Sequence, residues 1–383
     1  MKKLLVGLVL SGLMTPVAIA QELDHRPAQL SVVPGIGTNG IKSGNYYNTF
    51  SFNLLGGYNG GVQGLELGGI LNMDKEFSKG VQMAGVANLV GGESAGVQMA
   101  GVVNVNAGGS SAVQMAGVAN INKGWSSSSQ FSGVLNVAGA NGKGVQFSGV
   151  ANVVNGSMHG FQAAGVINVA GEVKGSQLSG VINQAKAISG TQVGVLNIAG
   201  NSKAAQIGVI NIADSANTTI GLINIVRKNG YYRGEIWAGE TLYANAAFKM
   251  GTKNFYSLIA AGWQQKDSHY HLAYGFGIGS EFITRERSAL NLDLIAYHLS
   301  KDELWTDESA NNLYQTRLIW ARSIAGNKSV LVGATFNVLH SEHAPVGADD
   351  EIGMDIAPWS TYNEVSHNRR IAMWPGLNIG FRF

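Results

Sequence analysis

The chain has no cysteine, only 6 prolines among 383 residues, and almost no charge imbalance, with a formal net charge of +2. The lack of cysteine excludes disulfides, a thiolate nucleophile, thiolate metal ligands and a lipid-modified N-terminal cysteine. Stability must therefore rest on packing and hydrogen bonds. Lys2 and Lys3 account for the whole positive excess, which argues against a nucleic-acid partner or a strongly charged substrate. Scarce proline beside 53 glycines suits tightly turned β-structure better than disorder. Long apolar runs are missing too: the run from Leu4 to Met14 falls short of the ~20 residues a membrane-spanning helix needs. With its basic start and its Ala18-Ile19-Ala20 ending, segment 1–20 reads as a secretory signal peptide.

In place of these features the middle of the chain has one recurring phrase, Gln-x-x-Gly-Val-x-Asn. Its asparagines are Asn72, Asn88, Asn104, Asn120, Asn136, Asn152, Asn168, Asn183, Asn197, Asn211 and Asn224. Its glutamines are Gln82, Gln98, Gln114, Gln130, Gln146, Gln162, Gln177, Gln192 and Gln206. The asparagines are spaced by 16 residues six times, then by 15, 14, 14 and 13. So short a period excludes a helix-pair repeat, and each unit is expected to be a β-segment with its turn, stacked on neighbours. Late units such as Gln192-Val-Gly-Val-Leu-Asn197 lack one residue before the glycine. In a flat strand that loss would flip every later side chain to the other face, so the pattern predicts a corner or bulge at the glycine.

An all-β fold follows, and two architectures accommodate the array. The favoured one is a parallel β-solenoid, each unit one coil, the asparagines forming a ladder of side-chain amides. The alternative is an antiparallel meander in which each unit is one strand of a single large barrel. The Asn and Gln columns are expected to satisfy backbone groups at coil corners, the alternative being a repetitive surface for glycans or peptides. The apolar column Met83, Met99, Met115, Phe131 and Phe147 is expected to pack, with lipid contact as a variant.

Composition divides the chain into a lead (21–60) with strands around Leu30 to Pro34 and Thr49 to Tyr58, the array (61–226), and a non-repetitive region (227–383). Of 32 aromatic residues, 22 lie in the last region, which is read as a domain of its own. Alternating segments there predict eight strands, several of about ten residues, the length a tilted strand needs to cross a bilayer. Short connections at GTKN (251–254), TRER (284–287) and 325–328 alternate with longer ones at about 264–268, 301–312 and 341–370. That alternation predicts an antiparallel, up-and-down outer-membrane-type barrel, with no clear turn in GEIWAGETLYANAAFKMG. Trp237, Trp263, Trp320 and Trp374 are candidates for its interfacial girdle.

The terminal segment Asn378-Ile-Gly-Phe-Arg-Phe383 resembles the last strand of bacterial outer-membrane barrels, whose final aromatic helps form the signal read by the barrel-assembly machinery. Phe381 and Phe383 carry that resemblance. The phrases GVQMAGVAN, GVQFSGVAN and AQIGVINIA resemble the repeats of bacterial surface-repeat-containing proteins. That resemblance implies export to a Gram-negative envelope and presentation at the cell surface, and it carries no catalytic residues to assign; the barrel reading implies outer-membrane lipid as a partner.

Chemistry is otherwise sparse. The array's charges (Lys75, Glu93, Lys123, Lys143, Glu172, Asp214) fall between repeats, which disfavours an acid–base enzyme on the coils. His269 with His271, and His340 with His343, Asp349, Asp350 and Glu351, read as solvated loop and strand-end residues, with a cation site or a barrel-embedded hydrolase as the alternative. No metal or cofactor is called for. Trp305, Trp359 and Tyr362 are candidate surface contacts for a glycan or protein. The function expected is structural or binding, adhesin-like, with a large pore and a lipid- or glycan-acting enzyme as alternatives.

Overall fold

The structure, a computed structural model, describes residues 22–266, 269–285, 287–302, 310–342, 353–354, 356–366 and 369–383. The leader 1–20, Trp305, His343 and 349–351 lie outside these residues. The described chain is all-β with one short 3-10 helix, Gly40–Asn45. Contacts divide it into two compact units, Met1–Gly124 and Trp125–Phe383.

In the first unit Asp24–Val33 pairs in parallel with Tyr46–Asn53, which pairs with Gly56–Gly68, which pairs with Leu71–Ala84. Parallel pairing thus begins in the lead, where the glutamine–asparagine phrase is not yet written. Successive repeats then pair residue for residue, Gln82 with Gln98 with Gln114 and Asn72 with Asn88 with Asn104 with Asn120. The same in-register parallel pairing recurs in the second unit from Gln130 to Asn224. These are coils of a parallel β-solenoid, about 11 in all. Parallel neighbours overturn the alternative of a single large barrel, whose wall strands would alternate in direction.

Each coil turns at the repeated glycine. Strand Leu71–Ala84 stops before Gly85 and Val86, and Ala87–Val90 resumes on a second leg. Glycine is required there because coils nearly touch: a Cβ on Gly85 would stand 2.1 Å from the Gly69 carbonyl oxygen, and one on Gly165 2.1 Å from that of Gly149. A residue lost next to this corner shortens the bend and leaves the asparagine face unchanged.

One expectation about the faces is reversed. Gln82 and Asn88 are fully buried, whereas Met83 is 39% exposed, Met115 42% and Phe147 40%. The column expected to pack lies outside the coil, and the amides share the interior with apolar residues such as Val154, Met158, Val173 and Ile188. Stacking in register explains the inversion, since each amide meets an identical amide that satisfies it, and the usual cost of burying a polar group is removed.

The second unit also carries a nine-stranded antiparallel sheet. Its strands are Tyr231–Gly239, Ala244–Gly251, Tyr256–Lys266, His269–Arg285, Ser288–Lys301, Asn311–Ala325, Lys328–Ser341, the short Tyr362–Ser366 and the last, Arg369–Arg382. The long strands pair in sequence order, Lys328–Ser341 joining Arg369–Arg382 with the short Tyr362–Ser366 pairing to the last strand alone, and the first strand also pairs with the last, Glu235 opposite Arg382 and Gly239 opposite Asn378. The unclear first turn is a bend at 240–243. The expected longer connection at 264–268 is instead two residues between Lys266 and His269, because Gln264 and Gln265 continue the ladder opposite His271 and Tyr270.

Alternation in this sheet is also inverted. Glu235, Lys249, Asn291, Asp293, Arg317 and Asn337 lie on one face and are buried, while Ile236, Phe248, Ile259, Leu294, Leu318 and Val332 lie on the other and are exposed. Trp263 and Trp320 lie on the exterior, but Trp237 and Trp374 are buried inside. The second pair therefore does not belong to an exterior girdle. The Arg317 guanidinium stacks 3.7 Å from the Trp237 ring centroid, and Trp374 Nε1 donates to Thr241 Oγ1 at 3.0 Å.

Candidate functional site

Two amide ladders run through the coils in opposite senses. Along the asparagine column each Nδ2 donates to the Oδ1 of the following coil: Asn88 to Asn104 at 2.8 Å in the first unit, and Asn152 to Asn168 at 2.9 Å and Asn211 to Asn224 at 2.8 Å in the second. Along the glutamine column each Nε2 donates to the preceding coil, Gln98 to Gln82 at 2.8 Å and Gln162 to Gln146 at 2.8 Å. The second proton of each asparagine holds a corner carbonyl, as Asn152 does Ala163 O at 2.7 Å and Asn183 does Val193 O at 2.7 Å. Gln130 and Asn136 open the columns of the second unit, Gln130 Oε1 accepting from Gln146 at 2.6 Å and Asn136 Nδ2 donating to Asn152 at 2.9 Å. Gln177, Gln192, Gln206 and Asn197 continue them, all fully buried. With every amide turned inward, the columns offer no outward binding surface.

The ladders end on different chemistry. In the last coil Asn224 Nδ2 donates to Ser257 Oγ of the sheet at 2.9 Å. In the first unit Gln82 Nε2 donates to Glu66 Oε2 at 2.8 Å and to Asp74 Oδ2 at 2.9 Å. Glu66 occupies the register position of the glutamine column, and Asp74 that of Val90 and Asn106. Both carboxyls are buried. Burial raises the pKa of Glu66 and raises that of Asp74 strongly, the Glu66 charge adding to the latter. A proton held more tightly in the folded state gives stability that is present in acid and lost as pH rises through the folded pKa. We therefore expect the first unit to melt at a lower temperature at pH 8 than at pH 5. Glu66→Gln, which removes this titrating carboxyl but sets an amide NH2 against either Gln82 or the Asn53 and Asn59 donors, should flatten this dependence while costing about 1–3 kcal/mol in acid. Thermal melts of both proteins across that range check it.

The interior of the sheet holds a second polar cluster that sequence reading missed. Lys249 Nζ lies 2.9 Å from Glu235 Oε1 and 2.8 Å from Asp293 Oδ2. Arg382 binds Glu235 Oε1 through Nη2 at 2.7 Å and Asn291 Oδ1 at 3.0 Å. Arg317 Nη1 stands 3.5 Å from Glu235 and 3.4 Å from Asp293. Tyr256 donates to Asp293 Oδ1 at 2.7 Å and Tyr231 to Glu281 Oε2 at 3.0 Å. Three buried acids (Glu235, Glu281, Asp293) meet three buried bases (Lys249, Arg317, Arg382), so the buried cluster is formally neutral, with the exposed Lys253 reaching Glu281 at 3.3 Å from its edge. The available signal was a single charged residue in mid-strand, flanked by apolar alternation, in each of several strands.

The other candidates do not converge on a centre. His269 Nδ1 contacts Asp302 Oδ2 at 2.6 Å, while His271 is buried inside the sheet. Among the described residues no group of three or more His, Asp and Glu side chains is placed to hold a metal ion. Trp359 is 53% exposed and Tyr362, hydrogen-bonded to Glu364, is 45% exposed. Phe381 and Phe383 point outward, and Phe383 exchanges backbone hydrogen bonds with Gly234 of the first strand. Comparison of the chain with protein-family models, curated proteins and solved structures gives no match.

Proposed function

We propose that the chain is an exported outer-membrane surface protein whose sheet closes into a lipid-embedded barrel of its eight long strands, inserted by the barrel-assembly machinery. The observation that carries this reading is the inverted alternation, with charges and amides inside and an apolar exterior, in a sheet whose first and last strands pair. In water such an exterior is a liability; in a bilayer it is what a spanning strand requires, and paired edges leave no unsatisfied backbone groups. The leader-like segment and the resemblance of the repeats to surface-repeat proteins support export.

The solenoid is then a rigid, non-catalytic element with a structural or binding role, and Trp359 and Tyr362 are exposed aromatic residues that can meet a glycan or protein. The neutral cluster fills the middle of the sheet and speaks against a wide pore. The test is heat-modifiable migration in gels together with fractionation in outer membranes after an alkaline wash. Recovery as a monodisperse protein without detergent would overturn the reading, and steady ion conductance in planar bilayers would replace it with a pore.

A further inference from the structure

The coils of the second unit are amphipathic edge to edge. At the Gly-Val corner a column of branched apolar side chains faces outward, Val150, Val166, Val181, Val195, Val209 and Leu222, each 41–47% exposed. Its members stack directly, Val166 N bonding Val150 O at 3.1 Å and Val209 N bonding Val195 O at 3.0 Å. The opposite edge is polar, with exposed Lys143, Lys174, Lys186 and Lys203. A contiguous apolar strip on one side only marks an interaction surface.

Its occupant is indicated by where the strip ends. Ser257 lies on the same strand face as the exposed Ile259 and Ala261, yet it is fully buried because Asn224 of the last coil lies on it. One step further along the same strand, Leu222 lines a cavity of about 470 Å³ together with Ile259, Phe276 and Tyr314. The valine column therefore runs without interruption into the apolar exterior of the sheet. We infer that the Gly-Val edge of these coils rests on lipid, in the leaflet at the short-turn end of the sheet, with the lysine edge turned to water. This inference rests on the sheet being membrane-embedded. Apolar branched side chains with no charge among them suit acyl chains, and the lysines are placed where they need not be desolvated.

The absence of cysteine permits a direct test. Single cysteines at Val181 and Val195 (corner edge), Lys203 (opposite edge) and Val332 (sheet exterior) are labelled with one fluorophore in the full chain, reconstituted in phosphatidylcholine–phosphatidylglycerol vesicles, and quenched with nitroxide-bearing lipids. Quenching at Val181, Val195 and Val332 at least twofold greater than at Lys203 is the expected result. Quenching at Val332 alone overturns the inference and leaves the embedded sheet standing. No quenching at Val332 removes the embedded sheet itself, and equal quenching at every position removes the proposed facing.

Discussion

Lys249→Met will destabilise the sheet by on the order of 3–5 kcal/mol, because it removes a cation shared by Glu235 and Asp293 and leaves the buried cluster with one excess negative charge. Lys249 has no exposed surface and makes close contact with both acids. The readout is the temperature at which the compact gel form is lost, and a marked fall is expected. Pairing the change with Asp293→Leu restores neutrality and should recover part of the loss, since a neutral apolar replacement of an ion pair is often tolerated. A single variant that melts with the parent protein would mean that water screens the cluster. That outcome would reopen the interior as a conduit.

Asn152→Ala should be the most damaging change in the array, at roughly 4 kcal/mol, since each buried group left unpaired costs about 1–3 kcal/mol. The substitution orphans the Asn136 donor, the Asn168 acceptor and the Ala163 carbonyl at once, bonds of 2.9, 2.9 and 2.7 Å. Val153→Ala, on the outward face beside it, should cost under about 1 kcal/mol, as half-exposed surface positions do. Chemical unfolding curves followed by circular dichroism separate the two. Equal costs would show that the coils are held by their outer surface and not by the amides.

The array was legible because its period is strict, and in-register pairing followed from identical residues recurring at identical offsets. The corner was legible from the residue missing between Gln192 and Gly194. The face assignment was not. Read as one strand, Val81-Gln-Met-Ala-Gly-Val-Ala-Asn offers Met83 as the natural core residue, and the stabilisation of Gln82 exists only once Gln98 lies against it. A property of the stack is invisible in the unit. Glu66 was overlooked for a related reason: it sits in Gly-Leu-Glu-Leu-Gly, and its place in the glutamine column appears only when Asn72 anchors the alignment.

In the sheet, strand limits were readable from alternation to within a few residues. Which tryptophans face inward was not, since Trp237 and Trp374 are fixed by partners distant in sequence, Arg317 and Thr241. The pairing of Glu235 with Arg382 is equally non-local. Charge neutrality on the buried face could have been summed from the strands, but only after knowing that all of these residues share one face.

The opposed amide columns also bear on how such a chain changes length over generations. Between Asn152 and Asn197 every coil receives one hydrogen bond from below and passes one on above in the asparagine column, and does the reverse in the glutamine column. A recombination event that duplicates or removes one whole coil there would meet the same donors and acceptors at the new junction. The length of the solenoid would thus be adjustable in steps of one coil, with no compensating substitution.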